Sequence, residues 1–242
     1  MNDFVSDLAR MIDHSILHPT LTDEDLRHEC QVAMEYQVVS VCVKPYAVEQ
    51  AVKILGNPEV LPGCVIGFPA GNSAIRVKVF ETVEAIDDGA KEIDMVVNIG
   101  KVLGHDWDYV ETEIKEVTEA CHLNGAIVKV IFETDFVTEE KDKIRLCEIC
   151  TKVGVDFVKT STGFGFVKQS NGFYKYTGAT LEDIQLMRKH SGPSVKVKAA
   201  GGVRSLDDLL AVREAGADRC GATATIQILD EARRRYNQKG SE

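Results

Sequence analysis

Short apolar runs rich in β-branched residues alternate along this chain with longer amphipathic segments. Such alternation is typical of a parallel sheet with helices packed outside it. The runs start about 23 to 40 residues apart, which is the length of a βα unit. Eight runs are present, near residues 12–17, 38–44, 62–67, 91–97, 126–132, 155–160, 195–200 and 218–222.

Helix start and stop signals support the same division. Thr22, Thr180 and Ser205 each precede an aspartate by three residues, which is a helix-start pattern, and glycines at 56, 89, 125, 154 and 216 follow predicted helices. Because no Pro- or Ser-rich linker divides the chain, residues 1–242 are predicted to form a single domain, a closed eight-fold βα (TIM) barrel with parallel strands. A doubly wound sheet is the alternative, disfavoured by the count of eight and by the lack of G-x-G-x-x-G after the first run.

A weak internal repeat refines this barrel. Segments 89–94, 154–159 and 216–221 each begin with a helix-stop glycine and end, five residues later, on a residue of special character. Alternate strands of an eight-stranded barrel share interior layers. The repeat therefore predicts a similar height for Asp94, Lys159, Gly221 and, from the second run, Cys42.

Charge and composition exclude several classes of protein. The 242 residues include 28 basic and 38 acidic side chains, a net charge of -10, and 44% are hydrophobic. This composition supports a large core and argues against disorder. The acidic balance disfavours binding to nucleic acid or to an anionic membrane. Without a signal segment or an apolar run long enough to span a membrane, the chain is expected to be cytoplasmic.

Metal chemistry and disulfides are not expected. The seven cysteines are an odd number scattered along a chain with an ample core, which indicates reduced thiols. Cys147 and Cys150 form a lone C-x-x-C in a helical pattern, better explained by packing than by zinc. His14 and His18 have H-x-x-x-H spacing, but they lie where a strand runs into a loop. We therefore expect no metal and no cofactor.

Two lysines lie at the ends of buried strands, where an unpaired charge is costly. They are Lys159, in Phe-Val-Lys-Thr-Ser-Thr-Gly, and Lys198, in Val-Lys-Ala-Ala-Gly-Gly. Each could reach solvent at its strand end. Two neighbouring lysines also suit Schiff-base formation, since lowering an amine pKa from about 10.4 towards 7 requires about 4 to 5 kcal/mol. Burial and a second ammonium could supply this energy; the sequence leaves open which lysine attacks.

Other charged residues fall on the same strands. Asp94 lies within an apolar strand and could act as a general acid or base, alone or through a water; the alternative is a structural ion pair with an interior lysine such as Lys129. Strand alternation places Lys129 on the face shared by Ile131 and Glu133, which suggests a charge pair in or near the site.

Glycine-rich segments follow the last two strands. Gly201 and Gly202 precede Arg204, and Gly221 precedes Thr223. Barrels often bind phosphate at these two loops, using bare backbone amides and helix N-termini. The sequence thus predicts a phosphate site, to which Arg204 would add charge and Thr223 a hydroxyl.

Taken together, these motifs resemble the 2-deoxy-D-ribose-5-phosphate aldolases, a family of class I, metal-independent aldolases built on an eight-fold βα barrel. The resemblance extends over nearly the whole chain. Its segments are Ile12–His14, Ser40–Pro45, Val65–Pro69, Glu92–Gly100, Val128–Thr134, Phe157–Gly163 and Lys198–Arg204.

The resemblance implies roles for individual residues. Lys159 would form the Schiff base, Lys198 would lower its pKa, and Asp94 would work with a water in proton transfer. Lining of the substrate site is implied for Asp13, Cys42 and Thr162, and contact with the phosphate for Gly163, Gly201, Gly202, Arg204, Gly221 and Thr223.

The implied reaction is the reversible cleavage of 2-deoxyribose 5-phosphate to glyceraldehyde 3-phosphate and acetaldehyde, in carbohydrate degradation. A cytoplasmic homo-oligomer, a dimer or a tetramer, is also implied. A related class I aldolase for another sugar or sugar phosphate is the alternative. A non-catalytic phosphate-binding barrel conflicts with the presence of both strand lysines and Asp94.

Three departures from the family pattern stand out. Gly221-Ala-Thr-Ala224 replaces the common Gly-x-Ser-Ser, and the tail Lys239–Glu242 lacks the terminal tyrosine that some members use in proton relay. The loop 161–179, expected on the catalytic face, is about ten residues longer than the pattern, and loops of this length are uncommon without a role. We hypothesise that it forms a lid in which a tyrosine replaces the missing tail residue; packing on a neighbouring subunit is the alternative.

Overall fold

The computed structural model describes residues 3–56 and 59–237, and it confirms the eight-stranded parallel barrel. Around the barrel the order is β1-β2-β3-β4-β5-β6-β9-β10, and β10 pairs back to β1 through Ile12 and Cys220. The barrel strands are β1 (Ile12–Ile16), β2 (Ser40–Val43), β3 (Leu61–Ile66), β4 (Glu92–Val96), β5 (Ile127–Ile131), β6 (Phe157–Lys159), β9 (Lys196–Ala200) and β10 (Arg219–Ala222).

Helices surround these strands. Thr22 and Ser205 both form capping boxes with the aspartate three residues later, as their sequence pattern predicts. A 3-10 turn spans Pro45–Ala47. The α-helices are α1 (Asp3–Ala9), α2 (Asp23–Glu35), α3 (Val48–Leu55), α4 (Ile75–Asp87), α5 (Ile99–Leu103), α6 (Trp107–Leu123), α7 (Glu140–Val153), α8 (Leu181–His190), α9 (Leu206–Glu214) and α10 (Thr225–Asn237).

Strand alternation divides the barrel into two environments. In β4, Ile93 and Met95 join the apolar core beneath the helices, whereas Glu92 and Asp94 turn towards the barrel interior, where their carboxylates meet lysines from other strands. The same alternation brings charged side chains to the interior from five other strands, namely Asp13, Lys129, Lys159, Lys198 and Arg219. The barrel therefore holds a polar centre inside an apolar shell.

The long loop between β6 and α8 contains a structure that the sequence pattern did not predict. Residues Val167–Lys168 (β7) and Tyr174–Lys175 (β8) pair as a small antiparallel hairpin, beyond the carboxyl end of β6. Phe173 and Tyr174 at its tip are 75% and 63% exposed. The loop thus projects from the strand end that presents Lys159.

The cysteines are reduced, and the helices are those of a βα barrel. All seven cysteines are free and buried, and Cys147 and Cys150 pack within α7. In the described part of the chain, no helix combines the length and the apolar character needed to cross a membrane. The departure predicted at the tail, Lys239–Glu242, lies outside the described residues.

Candidate active site

The barrel interior contains a continuous set of buried ion pairs, here called the barrel charge cluster. It brings together Asp94, Lys159, Lys198 and Lys129 from the sequence analysis and adds residues at the opposite end of the interior. Its members are Asp13, Glu92, Asp94, Lys129, Lys159, Lys198 and Arg219.

Lys159 and Lys198 converge on one carboxylate. The Nζ atoms of Lys159 and Lys198 lie 2.8 and 2.7 Å from Asp94 Oδ2. These lysines are adjacent because β6 and β9 pair in parallel with Lys159 opposite Lys198. All three side chains are at most 3% exposed. The structure therefore holds two amines together in a dry site, which is the arrangement that the Schiff-base hypothesis requires.

Lys129 extends this arrangement below Asp94. Its Nζ lies 3.0 Å from Asp94 Oδ1, 2.9 Å from Asp13 Oδ2 and 2.5 Å from Glu92 Oε2. Asp94 is thus both a structural partner of Lys129 and a partner of Lys159. Asp13 also binds Lys198, at 2.5 Å, so it joins the site through the lysines.

Arg219 and Glu92 are cluster members that the sequence analysis missed. Arg219 Nη1 lies 2.7 Å from Glu92 Oε1 and 3.2 Å from Asp13 Oδ1, and its guanidinium stacks over the Phe157 ring at 5.0 Å. Alternation could have located both residues, because Glu92 and Arg219 lie two positions before Asp94 and Gly221 and so share their interior faces.

The cluster sets different protonation preferences for its two converging lysines. Burial, reinforced by the Lys198 ammonium, lowers the pKa of Lys159 although Asp94 opposes this shift. For Lys198, burial is outweighed by the carboxylates of Asp13 and Asp94, which raise its pKa. Against the cost of burial, the lysines hold the pKa of Asp94 well below its usual value. Lys159 is accordingly the better nucleophile, whereas Lys198 stays an ammonium.

An apolar wall stands beside these amines. Cys42, from β2, packs with Leu17 and Val65, and Phe68 and Phe164 cover this group in an edge-on contact of 5.5 Å. Burial raises the pKa of the Cys42 thiol to about 11, so it is a neutral thiol near pH 7. The wall excludes water from one side of the site and disfavours a charged amine there.

Thr162 lies just beyond the carboxyl end of β6, where Glu133 holds it. Its hydroxyl and its amide both donate to Glu133 Oε2, and its hydroxyl accepts from the Phe164 amide at 2.9 Å. Glu133 therefore pairs with Thr162, whereas Lys129 pairs with other carboxylates. Thr162 fixes the start of the long loop, which positions Phe164 over the site.

The predicted phosphate loops meet at the same end of the barrel. Gly201 and Gly202 have φ values of 85° and 88°, and a Cβ on Gly201 would lie 3.0 Å from Gly178 Cα and 3.7 Å from Gly163 Cα. Only glycine fits such close backbone packing in this conformation. Gly163 and Gly201 are thereby brought together, with their backbones partly accessible.

The second loop ends at a helix start. Gly221 faces Lys198, whose Cε would lie 3.5 Å from a Cβ placed on that glycine. Thr223 is exposed just before α10, which begins at Thr225. A helix N-terminus offers free amides and a favourable dipole for an anion.

Arg204 lies at the edge of these loops rather than within them. It is exposed, and its Nη2 donates to the Tyr176 hydroxyl at 2.8 Å. Tyr176 belongs to the long loop and packs edge-on against Phe166. The long loop thus reaches the predicted phosphate site through Tyr176, while the proton-relay role of a loop tyrosine stays a prediction.

His14 and His18, the two histidines with ligand-like spacing, have hydrogen-bond partners of their own. His14 lies between Thr225 Oγ1, 2.8 Å from Nδ1, and Glu29 Oε2, 2.7 Å from Nε2, and His18 Nδ1 lies 2.7 Å from Thr20 Oγ1. The described residues contain no group of three or more His, Cys, Asp or Glu side chains able to hold a metal. His14 instead connects β1 to the start of α10.

Several named proteins are similar to this chain in sequence. Residues 8–229 match the family described as DeoC/LacD family aldolase. A deoxyribose-phosphate aldolase of Rhodopirellula baltica is 48% identical over 236 residues, which cover 98% of this chain and 93% of that protein. Another, from Thermococcus gammatolerans, is 47% identical over 229 residues, covering 94% and 97% of the two chains.

Solved structures give the same result. An aldolase named QR15 is 37% identical, with a TM-score of 0.86, and the match covers 96% of this chain and 98% of that one. A deoxyribose phosphate aldolase from Aeropyrum pernix, described as a unique tetramer, is 28% identical with a TM-score of 0.82, covering 95% and 92%. The resemblance seen in the sequence motifs is confirmed, and this chain belongs to the DeoC/LacD family of aldolases.

Proposed function

We propose that this protein is a class I aldolase, a carbon–carbon lyase that reversibly cleaves 2-deoxy-D-ribose 5-phosphate to D-glyceraldehyde 3-phosphate and acetaldehyde. The observation that carries this proposal is the convergence of Lys159 and Lys198 on Asp94 inside a closed barrel. Family membership and the names of its relatives support the choice of reaction and substrate.

The reaction begins at Lys159. Its neutral Nζ donates one hydrogen to Asp94 Oδ2, which aims the lone pair away from the carboxylate. The nitrogen adds to the C1 aldehyde carbon of the open-chain sugar and forms a carbinolamine. A proton on the departing hydroxyl releases water and leaves an iminium ion. Lys198, an ammonium beside this centre, is placed to supply that proton.

Cleavage of the C2–C3 bond follows. The C3 hydroxyl gives up its proton, its oxygen becomes the carbonyl of glyceraldehyde 3-phosphate, and the bonding electron pair moves to the iminium nitrogen as an enamine. The enamine then takes a proton at C2, and water hydrolyses the resulting iminium to acetaldehyde and free Lys159. Because its pKa is so low, Asp94 stays ionised, so it acts through a bound water or a neighbouring ammonium.

Phosphate binding is assigned to the loops at the carboxyl ends of β6, β9 and β10. Backbone amides near Gly163, Gly201, Gly202 and Gly221, with the start of α10, would face the phosphate. Thr223 would offer a hydroxyl and Arg204 a charge from the rim. Asp13, Cys42 and Thr162 would shape the site around the reacting carbons.

A related aldolase for another sugar is the second candidate. It is favoured by the segment Gly221-Ala-Thr-Ala224, where Ala224 removes one of the two hydroxyls common in the family. Weaker phosphate binding would shift preference towards an unphosphorylated or differently phosphorylated sugar.

Turnover of deoxyribose 5-phosphate and of free deoxyribose, with both aldehyde products measured, separates the two candidates. A kcat/KM at least about tenfold higher for the phosphorylated sugar, or about 1.4 kcal/mol of transition-state stabilisation, supports the first. A preference for the free sugar supports the second. Absence of turnover with either sugar contradicts both.

Assembly and location are further proposals. We infer a homo-oligomer, because a relative from Aeropyrum pernix is described as having a tetrameric structure. We infer a cytoplasmic location, because the relatives are named as aldolases of a small sugar phosphate. We also infer that residues 1–242 work as one barrel domain, with 161–179 as an extended loop on the catalytic face. Light scattering at micromolar concentration distinguishes a dimer or tetramer from a monomer.

A further inference from the structure

The barrel charge cluster contains more cations than anions. Lys129, Lys159, Lys198 and Arg219 supply four basic groups, whereas the acidic groups are three. All but Arg219, whose side chain is 14% exposed, are at most 3% exposed. An unbalanced charge in such an environment is expensive, and a basic group removes the cost by releasing its proton. With three ammonium or guanidinium groups and three carboxylates the cluster is neutral, so one lysine has to be uncharged.

The ion pairs identify which lysine that is. Lys129 pairs with each of the three carboxylates. Arg219 pairs with Glu92 and Asp13. Both cations therefore have carboxylates on more than one side.

The two converging lysines differ in the number of carboxylates that they contact. Lys198 pairs with Asp13 as well as with Asp94. Among the residues that the structure describes, Asp94 is the one carboxylate paired with Lys159, and Lys198 shares the same oxygen. Lys159 is therefore the cation that the cluster retains least.

We propose that Arg219 is a positioning residue for the Schiff-base reaction: by neutralising Glu92 and Asp13 from the far end of the barrel, it leaves Lys159 with a share of Asp94, which Lys198 and Lys129 also contact, and with no carboxylate of its own. The inference rests on the proposed function, because it concerns the nucleophile of that reaction. Arg219 touches neither Lys159 nor the substrate loops. Its effect passes through Asp13, Lys198 and Asp94.

Other titratable groups also face Lys159. Cys42, across the barrel, is a neutral thiol because burial raises its pKa. Glu133, at the carboxyl end of β5, hydrogen-bonds to Thr162 and forms no ion pair with any described residue. Burial raises the pKa of Glu133, although its hydrogen bonds to Thr162 and the charge of Lys159 oppose this shift. The carboxylate in direct contact with Lys159 is therefore Asp94 of the cluster.

Arg219 lines a cavity at the end of the barrel opposite the substrate loops, so a small added cation can test its role. The cavity, of about 730 Å³, lies at the amino-terminal ends of the strands and is lined also by Glu92, Phe157 and Lys196. The carboxyl ends, where the loops for substrate lie, are at the other end of the barrel. A small cation entering this cavity could therefore replace a deleted guanidinium without meeting the substrate.

The test measures the rate of borohydride-trapped adduct formation with acetaldehyde as a function of pH, in wild type, Arg219→Gln, Glu92→Gln and the double variant. Arg219→Gln leaves three cations for three carboxylates, so Lys159 keeps its proton. The acid limb of its profile is expected about one pH unit or more higher, with about tenfold slower trapping at pH 7 for each unit. Glu92→Gln should move the limb downwards, and the double variant should return it to within about 0.3 unit of wild type.

Three further variants distinguish the charge of Arg219 from its role in folding. Arg219→Lys preserves the charge and should keep the wild-type limb, even if Arg219→Gln does not fold. Arg219→Ala opens the cavity wall, and guanidinium at millimolar concentration should restore part of the trapping rate, whereas urea should not. Lys196→Gln is the matched control: Lys196 stacks over the same Phe157 ring, at 5.6 Å, but it lies outside the cluster.

The possible results separate this inference from the proposed function. No wild-type adduct at Lys159 would refute the Schiff-base function itself. A wild-type adduct with an unmoved acid limb in Arg219→Gln would overturn the inference alone, as would a shifted limb in Arg219→Lys. Equal limbs in the single and double variants would also overturn it, because charge balance requires Glu92→Gln to compensate.

Discussion

Two regions of this barrel bury lysines against carboxylates, and they behave differently. Outside the strands, Lys78 of α4 lies 2.6 Å from Glu113 of α6, and both side chains are fully buried. Lys78 also donates to the Val96 carbonyl at 2.6 Å, and Glu113 accepts from the Asn98 amide at 2.8 Å. This pair is balanced, one cation for one anion, and joins two helices to the end of β4.

Inside the strands, the barrel charge cluster is unbalanced. In the helix pair, burial lowers the pKa of Lys78 and raises that of Glu113, so burial weakens both charges. In the cluster, burial is outweighed for Lys198, whose pKa is raised, while the pKa of Lys159 is lowered. The comparison shows that burial alone does not produce a nucleophilic lysine. A lysine becomes nucleophilic when its cluster holds one more basic group than carboxylates and its neighbours are the better paired cations.

The largest effect is expected from Lys159→Met, which removes the neutral amine of the barrel charge cluster. Turnover should fall by roughly 10⁴-fold or more, the scale on which loss of a covalent nucleophile acts. Stability should not fall. Because the folded pKa of Lys159 is lowered, the unfolded chain binds more protons between that pKa and about pH 10.4, so at neutral pH this residue costs folding free energy.

Steady-state kinetics and thermal melts at pH 6 and 8 measure both effects. Lys44→Met serves as a control, because Lys44 donates to loop carbonyls outside the cluster. A melting temperature several degrees below wild type for Lys159→Met would show that its ammonium stabilises the fold, contrary to the comparison.

Lys198→Met should have the next largest effect, because it leaves three cations for three carboxylates and returns a proton to Lys159. Each unit by which the pKa of Lys159 rises costs about tenfold in kcat/KM at pH 7, and the acid limb should move up equally. A pH–rate profile between pH 5 and 10 checks this. A uniform loss of rate with an unmoved limb would assign Lys198 to proton donation alone.

Glu113→Gln tests the balanced pair. It strands the Lys78 ammonium in an apolar setting, and breaking a buried pair in this way costs about 3 to 5 kcal/mol. Urea unfolding measures the loss, and the acid limb of kcat/KM should stay at the wild-type pH. A displaced limb would mean that the two regions are electrically coupled.

Tyr176→Phe should give the smallest effect. Removing the hydroxyl frees Arg204 at the edge of the phosphate loops and costs about 1 kcal/mol of binding, or about fivefold in KM, with kcat unchanged. Initial rates on deoxyribose 5-phosphate test this, with the exposed Tyr174→Phe as the matched control. A large fall in kcat would instead support proton relay by the loop tyrosine.

Much of the fold followed from the sequence because its signals are local. Each of the eight apolar runs became a barrel strand, and the aspartates after Thr22 and Ser205 closed capping boxes. The hairpin of β7 and β8 was missed because two-residue strands carry no measurable periodicity. Its pairing depends on a turn within a long loop.

Only part of the candidate site could be predicted from the sequence. Lys159, Lys198 and Asp94 are prominent because charges in apolar strands are rare. Arg219 and Glu92 lie at strand starts, where a charge looks like ordinary surface, and they become informative only when alternation is followed two residues back. The number of partners each cation has depends on strands that lie far apart in sequence, so it could not be predicted.

The central claim is that Lys159 is the neutral amine of the barrel charge cluster. Treatment with acetaldehyde and borohydride, followed by peptide mass mapping, tests it most directly, since reduction fixes an N-ethyl group on the reacting lysine. The structure predicts that the label falls on Lys159 and is absent from Lys159→Met. A label on Lys198 or Lys129, or no label at any lysine, would contradict the account.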